Sequence, residues 1–421
     1  MSNFRIKASL FLNYFVFAIL LNSVGTVILQ IQGNFDLSKP TASILEAFKD
    51  FSIAIASFLI ASYVVRIGYK RTMLIALGLV TFMCLLMPSL PSFLMTKLLF
   101  ATVGISFAMI KVTVFSTIAL VTRNQKEHLS LMNFLESFFM VGVVTGYFIF
   151  SAFVDNDDPA STAWFRVYYI LAAISLIAFI LLLTTPLDES SVQKPERTAS
   201  PATDFVQMLS LIVMPLVLVF IFSAFFYVLI EQSIMSWLPT FNNEVLKLST
   251  SLSIQMASIL SGSIALGRFL AGILLRRFNW LVVLVACILG AGTLVLITVP
   301  LAQNISGVSV KTLSDVPLVA YAFPLIGLFL APVYPAINSV ILSSLPKNKH
   351  SAMSGLIVFF SALGGTSGSI ITGHIFEAYG GQTAFYFSLA PMAILIGLLF
   401  AFKSLQRKYG IAAEIELKGG H

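Results

Sequence analysis

The sequence predicts an all-α membrane protein with twelve transmembrane helices arranged as two pseudo-symmetric six-helix bundles. Hydrophobic residues make up 58% of the 421 residues and charged residues only 10%, whereas soluble domains carry about 25% charged residues. Apolar runs long enough to cross the hydrocarbon core of a bilayer, about 30 Å thick, recur along the chain. One polar stretch separates the sixth run from the seventh, so the chain divides into two sets of six.

This composition excludes a soluble enzyme, a nucleic-acid-binding protein and a secreted disulfide scaffold. The net charge of +7 is expected to report membrane topology rather than a nucleic-acid partner. Cys84 and Cys287 lie within apolar runs, which predicts buried free thiols. The sequence contains no metal-ligand cluster, nucleotide fingerprint or nucleophile triad, and neither a metal nor a cofactor is expected.

The spans follow one another with short connections. We place the first six near 8–31, 41–65, 72–90, 93–121, 130–154 and 164–185, and the last six near 206–238, 252–275, 280–301, 318–343, 351–376 and 383–403. The two bundles are therefore predicted over 1–185 and 206–421, with a polar linker at 186–205. The first apolar run continues without a cleavage site, so we expect it to be a retained span and not a signal peptide.

The basic residues indicate the topology. Most of the 25 Lys and Arg residues fall on the side of the two termini and the linker, which the positive-inside rule assigns to the cytosol. We therefore expect a multi-pass protein of a bacterial-type inner membrane, with both termini cytosolic. The expected partners are the lipid bilayer, a small-molecule substrate and protons, and the protein is expected to be a monomer.

An internal repeat indicates that the two halves are related. Residues 111–122 and 332–343 have similar patterns, and each is followed by a Lys/His loop and then by the next span. Twelve spans in two related halves resemble the major facilitator superfamily, and this resemblance implies the major facilitator fold. The loop after span two matches that superfamily's G-x-x-x-D-[RK]-x-G-[RK]-[RK] signature at Arg66, Gly68, Lys70 and Arg71, which form the predicted gating loop. Ala61 and Val65 stand where the signature has Gly and Asp.

Span seven carries a narrower resemblance. Residues 225–241 are similar to the F-[FY]-V-x-x-E-x-S-I-x-S-[FW] pattern of the fucose-permease branch, and residues 267–272 also look like that branch. The resemblance implies proton-coupled uptake of a sugar-like solute. Members of the branch carry one acidic residue in span one and another in span four. Here span one has neither Asp nor Glu and span four presents Lys111, so neither fucose nor that proton site can be carried over.

Ionisable residues inside a span cost free energy unless they face a cavity or a partner, so each is a functional candidate. Glu46, Lys49 and Asp50 share one face of span two, which predicts either a proton- or substrate-linked cluster or an ion pair that only lowers the cost of insertion. Lys111 and Glu136 lie at similar depth on consecutive spans, and we expect them to pair, as an exchangeable or as a static bridge.

Two sets of candidate site residues follow. The proton-coupling candidates are Glu46, Asp50 and Glu136. The substrate-binding candidates are Lys49, Lys111, Glu231, Gln232, Trp237, Arg268, Asn22, Tyr334 and Asn338. For Arg268 the alternative is an anchor or a side chain that reaches the cytosol, and for the neutral polar residues it is hydrogen bonding between helices. The glycines at 364, 365 and 368 are expected to serve close helix packing.

The function predicted from these features is secondary active transport of a small polar solute by alternating access, as proton-coupled uptake of a sugar-like metabolite. Two alternatives stay open. One is proton-coupled transport of a carboxylate-bearing solute (an organic acid, an amino acid or a metal-chelating metabolite), and the other is proton-driven export. We do not expect an enzyme, because no convergent nucleophile and base are visible.

Overall fold

The computed structural model describes residues 2–122, 125–189, 209–302, 316–343 and 350–418, and every regular element in these ranges is helical. The first half contains α1 Ser2–Asn22, α2 Val24–Phe35, α3 Lys39–Ile67, α4 Tyr69–Leu86, α5 Phe93–Val121, α6 Gln125–Ser151 and α7 Val167–Leu183. The second half contains α8 Pro215–Met235, α9 Leu238–Glu244, α10 Thr250–Arg277, α11 Trp280–Leu301, α12 Leu318–Ala322, α13 Ile326–Leu330, α14 Val333–Ser343, α15 His350–Phe387 and α16 Leu389–Lys418. Of the predicted linker, only residues 186–189 fall within the described ranges.

These helices correspond to the twelve predicted spans. In the described ranges, ten segments are long and apolar enough to cross a membrane. One of them, Gly355–Lys408, contains two passes, because the backbone of Gly380 is non-helical with φ +82°. The charged helix α3 supplies the remaining pass. The prediction of an all-α protein with twelve transmembrane helices is therefore confirmed.

Spans one and seven, each predicted as one continuous segment, are both interrupted, span one within its predicted range and span seven at the end of its range. Span one breaks at Ser23 between α1 and α2, and span seven breaks at Ser236 and Trp237 between α8 and α9. The two breaks meet, since a Cβ at Gly25 would lie only 2.8 Å from the Ser236 carbonyl oxygen. The absence of a side chain at Gly25 therefore lets the halves touch backbone to backbone.

Side-chain caps fix where several helices begin. Ser38 accepts a hydrogen bond from the Thr41 N–H at the start of α3, and Ser92 accepts one from Met95 at the start of α5. Asn279 does the same for α11. Such caps satisfy amide groups that would otherwise lack partners at a helix end.

The two halves pack through three helix pairs, namely α3 with α15, α6 with α10 and α2 with α9. Because consecutive spans alternate in direction, the bundle has a near end, where α1 begins and α3 ends, and a far end, where α2 ends and α3 begins. Within the second half, α15 lies closely on α8, as expected from the glycines of span eleven. A Cβ at Gly364 or Gly368 would overlap the carbonyl oxygens of Phe225 or Leu229.

Candidate functional site

The three ionisable residues of α3 form a buried cluster between the halves, here called the α3 cluster (Glu46, Lys49 and Asp50). Lys49 Nζ lies 2.5 Å from Glu46 Oε2 and 3.5 Å from Asp50 Oδ1. Ser236, directly after α8, donates a 2.5 Å hydrogen bond to Glu46 Oε1. Glu46 is fully buried, and Lys49 and Asp50 are 5% and 8% exposed. A buried carboxylate of the first half is therefore bonded to the second half.

A small polar crevice lies beside this cluster, at the two helix breaks. Its lining includes Asn22, Gly25, Lys49, Gln232 and Ser236. The space suits about one water molecule. The structure thus brings together three of the predicted candidates, Asn22, Lys49 and Gln232, although Asn22 also donates 2.9 Å to the Ala18 carbonyl of its own helix.

A second group of charges faces the space between the halves. Lys111 on α5 is within electrostatic range of Glu136 on α6 and of Arg268 on α10 of the other half. All three residues are exposed, and Lys111 Nζ lies 5.8 Å from the centre of the Phe107 ring. Because charges from opposite halves act on one another and are also open to solvent, these residues line a central cavity and do not face lipid.

The three cavity charges lie at one level. Lys111 is ten residues before the end of α5, Arg268 is nine before the end of α10, and Glu136 is eleven after the start of α6. At a rise of 1.5 Å per residue, each is about 14–17 Å from the near end. Over the described part of the chain, Lys111 and Glu136 approach to electrostatic range but form no ion pair within 4 Å, unlike the pairing expected from the sequence.

Aromatic and polar residues of the second half form a neighbouring part of the wall. The Tyr227 hydroxyl donates 2.8 Å to Glu231 Oε1, and the rings of Tyr227 and Tyr334 stack with centroids 5.5 Å apart. Tyr334 and Ser361 share a 2.9 Å hydrogen bond. Arg268 is within electrostatic range of Tyr227, Glu231 and Tyr334. Three predicted candidates, Glu231, Tyr334 and Arg268, are therefore neighbours.

The other two candidates are Trp237 and Asn338. Trp237 is fully buried, donates 2.9 Å from its indole N–H to the Ser369 carbonyl, and packs on Phe376. It therefore lies away from the cavity in this conformation and holds α9 against α15. The Asn338 side chain interacts with the Tyr334 hydroxyl, and its buried Oδ1 has no hydrogen-bond partner among the residues that the structure describes.

The predicted gating loop turns sharply at Gly68, where φ is +93°. The Glu189 carboxylate, beyond α7, accepts hydrogen bonds from the backbone N–H groups of Tyr69 and Lys70, at 2.9 and 2.8 Å. Lys70 Nζ donates to the carbonyls of Leu183 and Thr185 at the end of α7. The negative Glu189 carboxylate thus lies at the start of α4 and the positive Lys70 ammonium at the end of α7, where each stabilises the helix dipole.

Arg71 is exposed, and the side chain of Arg66 lies outside the described part of the chain.

The far end of the bundle is held closed by contacts between the halves. Lys39 Nζ lies 3.0 Å from Glu244, 3.8 Å from Glu377 and 5.3 Å from the centre of the Phe376 ring. On the opposite side, the Ser251 hydroxyl donates to the Ser151 carbonyl at 3.0 Å. In the described ranges, the hydrogen bonds and ion pairs between halves lie at this end or at the α3 cluster. Because the cavity charges nearer the other end are exposed, the cavity opens toward the near end.

Sequence reasoning missed several of these residues. Tyr227 could have been found, because it is four residues before Glu231 and therefore on the same helix face. Ser236, Glu189 and Lys39 could not, because each acts on a residue more than a hundred positions away whose register is set only by the fold.

Comparison with known proteins agrees with this architecture. The family model described as Major Facilitator Superfamily matches residues 10–365. A variant of the nucleoside transporter NupG superposes with a TM-score of 0.76 at 14% identity, over 96% of this chain and 100% of that chain. The inward open xylose transporter XylE from E. coli gives 0.74 at 12% identity, over 95% and 96% of the two chains.

The fold is also similar to that of FucP of E. coli in its outward conformation, with a TM-score of 0.61 at 18% identity, over 96% and 99% of the two chains. These proteins are transporters, and identities this low establish the fold alone. Comparison with curated protein sequences gives no significant match.

Proposed function

The chain belongs to the Major Facilitator Superfamily, and we propose that it is a proton-coupled secondary transporter of a small polar solute. It is a multi-pass membrane transporter and not an enzyme. In the proposed mechanism the two halves rock about a central site, so that the site faces each side of the membrane in turn. The charge bias of the sequence favours a cytosolic near end, and with that orientation the present conformation is inward-facing.

The observation that carries the proton coupling is the bond between the halves at the α3 cluster. Glu46 is fully buried and holds both Lys49 and Ser236. Opening the far end must separate Glu46 from Ser236 and leave a buried carboxylate with one partner fewer, which is costly. A proton on Glu46 or Asp50 removes that charge, so protonation changes the relative free energies of the two conformations.

Glu136 is the third proton-coupling candidate. It lies in the open cavity within electrostatic range of Lys111. A proton taken up there would leave Lys111 without a nearby counter-charge and free it for a solute. Protonation of the α3 cluster would then affect the opening of the far end, and protonation of Glu136 would affect solute binding in the cavity.

Uptake of a sugar-like solute is the direction and substrate class that the family resemblance favours. The structural neighbours include a xylose transporter, a fucose:proton symporter and a nucleoside transporter. The half-buried Glu231, Gln232, Tyr334 and Asn338 supply hydrogen-bonding groups that hydroxyl-bearing solutes need.

The test is uptake of labelled monosaccharides, nucleosides and organic acids into proteoliposomes with an imposed proton gradient. Uptake should depend on the gradient and be abolished by a protonophore. Glu46→Gln and Glu136→Gln should retain exchange but lose gradient-driven accumulation, whereas Asp155→Asn, in an exposed loop at the far end, should behave as the native protein. A solute that is moved at the same rate with and without the proton gradient would refute proton coupling.

A further inference from the structure

We propose that the central cavity binds an anionic group of its solute, a carboxylate or a phosphate, between Lys111 of the first half and Arg268 of the second. This inference rests on the proposed function, since it names the substrate class of the same cavity. Lys111 and Arg268 are called the cation pair below.

The cation pair consists of like charges that face each other without direct neutralisation. Each cation acts electrostatically on the other across the cavity. Among the described residues, neither forms a hydrogen bond or an ion pair within 4 Å, whereas the buried Lys49 has two carboxylates within that distance. Cations at this depth in a membrane protein are costly when unpaired. An anion placed between them would offset their repulsion and give each cation a hydrogen-bond acceptor.

The acids of the cavity are placed so that they do not fill this role. Glu231 already accepts the Tyr227 hydroxyl at 2.8 Å, and Glu136 lies within electrostatic range of Lys111 but not in contact with it. These carboxylates lower the net positive charge of the cavity. They do not contact the cation pair, so an anionic group of a solute would still meet two uncoordinated donors. Arg presents several N–H groups in one plane, which suits carboxylate and phosphate oxygens.

Because of the position of the cation pair, a bound anion also affects the equilibrium between the two conformations. Lys111 and Arg268 lie at the same level on helices of opposite halves, about 14–17 Å from the near end. Their mutual repulsion favours the open near end. An anion that contacts both favours closure there, and a ligand shifts a conformational equilibrium only through such a difference in affinity.

The test is calorimetric titration of the purified full-length protein with succinate, citrate, glucose 6-phosphate and inorganic phosphate, and with neutral glucose and uridine. We expect at least one organic anion to bind. Lys111→Gln and Arg268→Gln should each weaken that binding by about 10- to 100-fold, the usual effect of losing a charge-assisted hydrogen bond. Inorganic phosphate as the strongest probe would identify the phosphate form of the anion.

Matched controls and conservative variants separate binding from folding. Lys97→Gln changes a lysine that lies over the Phe48 and Phe93 rings, and Arg277→Gln changes the exposed last residue of the same helix as Arg268. Neither should alter anion binding. Lys111→Arg and Arg268→Lys keep the charge and should restore part of the affinity if the Gln variants fold.

Two binding results would overturn the inference. One is anion binding of unchanged affinity in both Gln variants, and the other is no binding by any anion in the panel at millimolar concentration. A neutral solute carried with protons equally well by both Gln variants would leave the proposed transporter standing and refute only the cation pair. An anion that binds through the cation pair but is never moved would support the pair and refute the transport function.

Discussion

Lys39 is expected to be the main electrostatic lock of the far end, and Lys39→Met should open that end. The side chain is 16% exposed and reaches three groups of the second half, which are the Glu244 and Glu377 carboxylates and the Phe376 ring. The two carboxylates are 40% and 48% exposed, so solvent screens both ion pairs. Methionine keeps most of the length of the unbranched side chain and removes its charge.

The magnitude follows from these contacts. Each screened ion pair contributes about 0.5 kcal/mol, and the cation–π contact contributes about 0.5–1 kcal/mol. The sum, about 1.5–2 kcal/mol, corresponds to a change of about 10- to 30-fold in the ratio of closed to open far ends. The contacts are made only when the far end is closed, so all of this free energy bears on the equilibrium.

Pulsed electron paramagnetic resonance can measure this shift. Spin labels at Asp157 and Tyr379, both exposed near the far end on different halves, would report its opening in a background without Cys84 and Cys287. Lys97→Met is the control, because Lys97 also lies near the far end but contacts two rings of its own half.

For Lys39→Met, we expect a larger population with a long distance between the two labels than in the native protein. For Lys97→Met, we expect the distance distribution of the native protein. Identical distance distributions for Lys39→Met and the native protein would refute the assignment of Lys39 as a lock.

Three further predictions concern stability. Gly368→Ala should lower the stability measured by thermal unfolding in detergent by about 1–3 kcal/mol, because a Cβ there overlaps a carbonyl of α8, whereas Gly397→Ala has open space and should not. Trp237→Phe should cost about 1–3 kcal/mol in the same assay, because it leaves the buried Ser369 carbonyl without its indole donor; an unchanged melting temperature would contradict this. Glu189→Gln should weaken the cap at the start of α4 by about 1 kcal/mol, visible as faster hydrogen exchange of the amides it now binds.

The twelve helices could be predicted from the sequence because the bilayer sets a requirement that each stretch of the chain meets by itself. Each span needs about twenty apolar residues and satisfies its backbone internally. The α3 cluster was predictable for the same reason, since the spacing of Glu46, Lys49 and Asp50 places them on one face of any helix. Both predictions depend on residues fewer than thirty positions apart.

The contacts between halves could not be predicted in this way. The sequence placed Lys111 and Glu136 at one depth, but whether they touch depends on the rotation and separation of α5 and α6, and the structure holds them apart. Likewise, Trp237 belongs to a motif expected at the solute site, but the break after α8 turns it into the packing against α15. Helix rotation and conformational state are properties of the whole bundle, and no local pattern contains them.

The closed far end and the cation pair act on the same conformational equilibrium from opposite ends of the cavity. Lys39 stabilises the present conformation by attraction at the far end, and under our proposal Lys111 and Arg268 stabilise it by repulsion across the cavity, about 14–17 Å from the near end. An anion that neutralises this repulsion should therefore open the far end, as Lys39→Met does. Free-energy changes at two sites usually add when the sites are more than about 10 Å apart, and the far end and the cation pair are much farther apart than that. In the spin-labelled protein, the bound anion and Lys39→Met together should thus change the ratio of open to closed far ends by the product of the two factors that each produces alone. A saturating anion that leaves the far end of Lys39→Met unchanged would show that the two ends are not coupled.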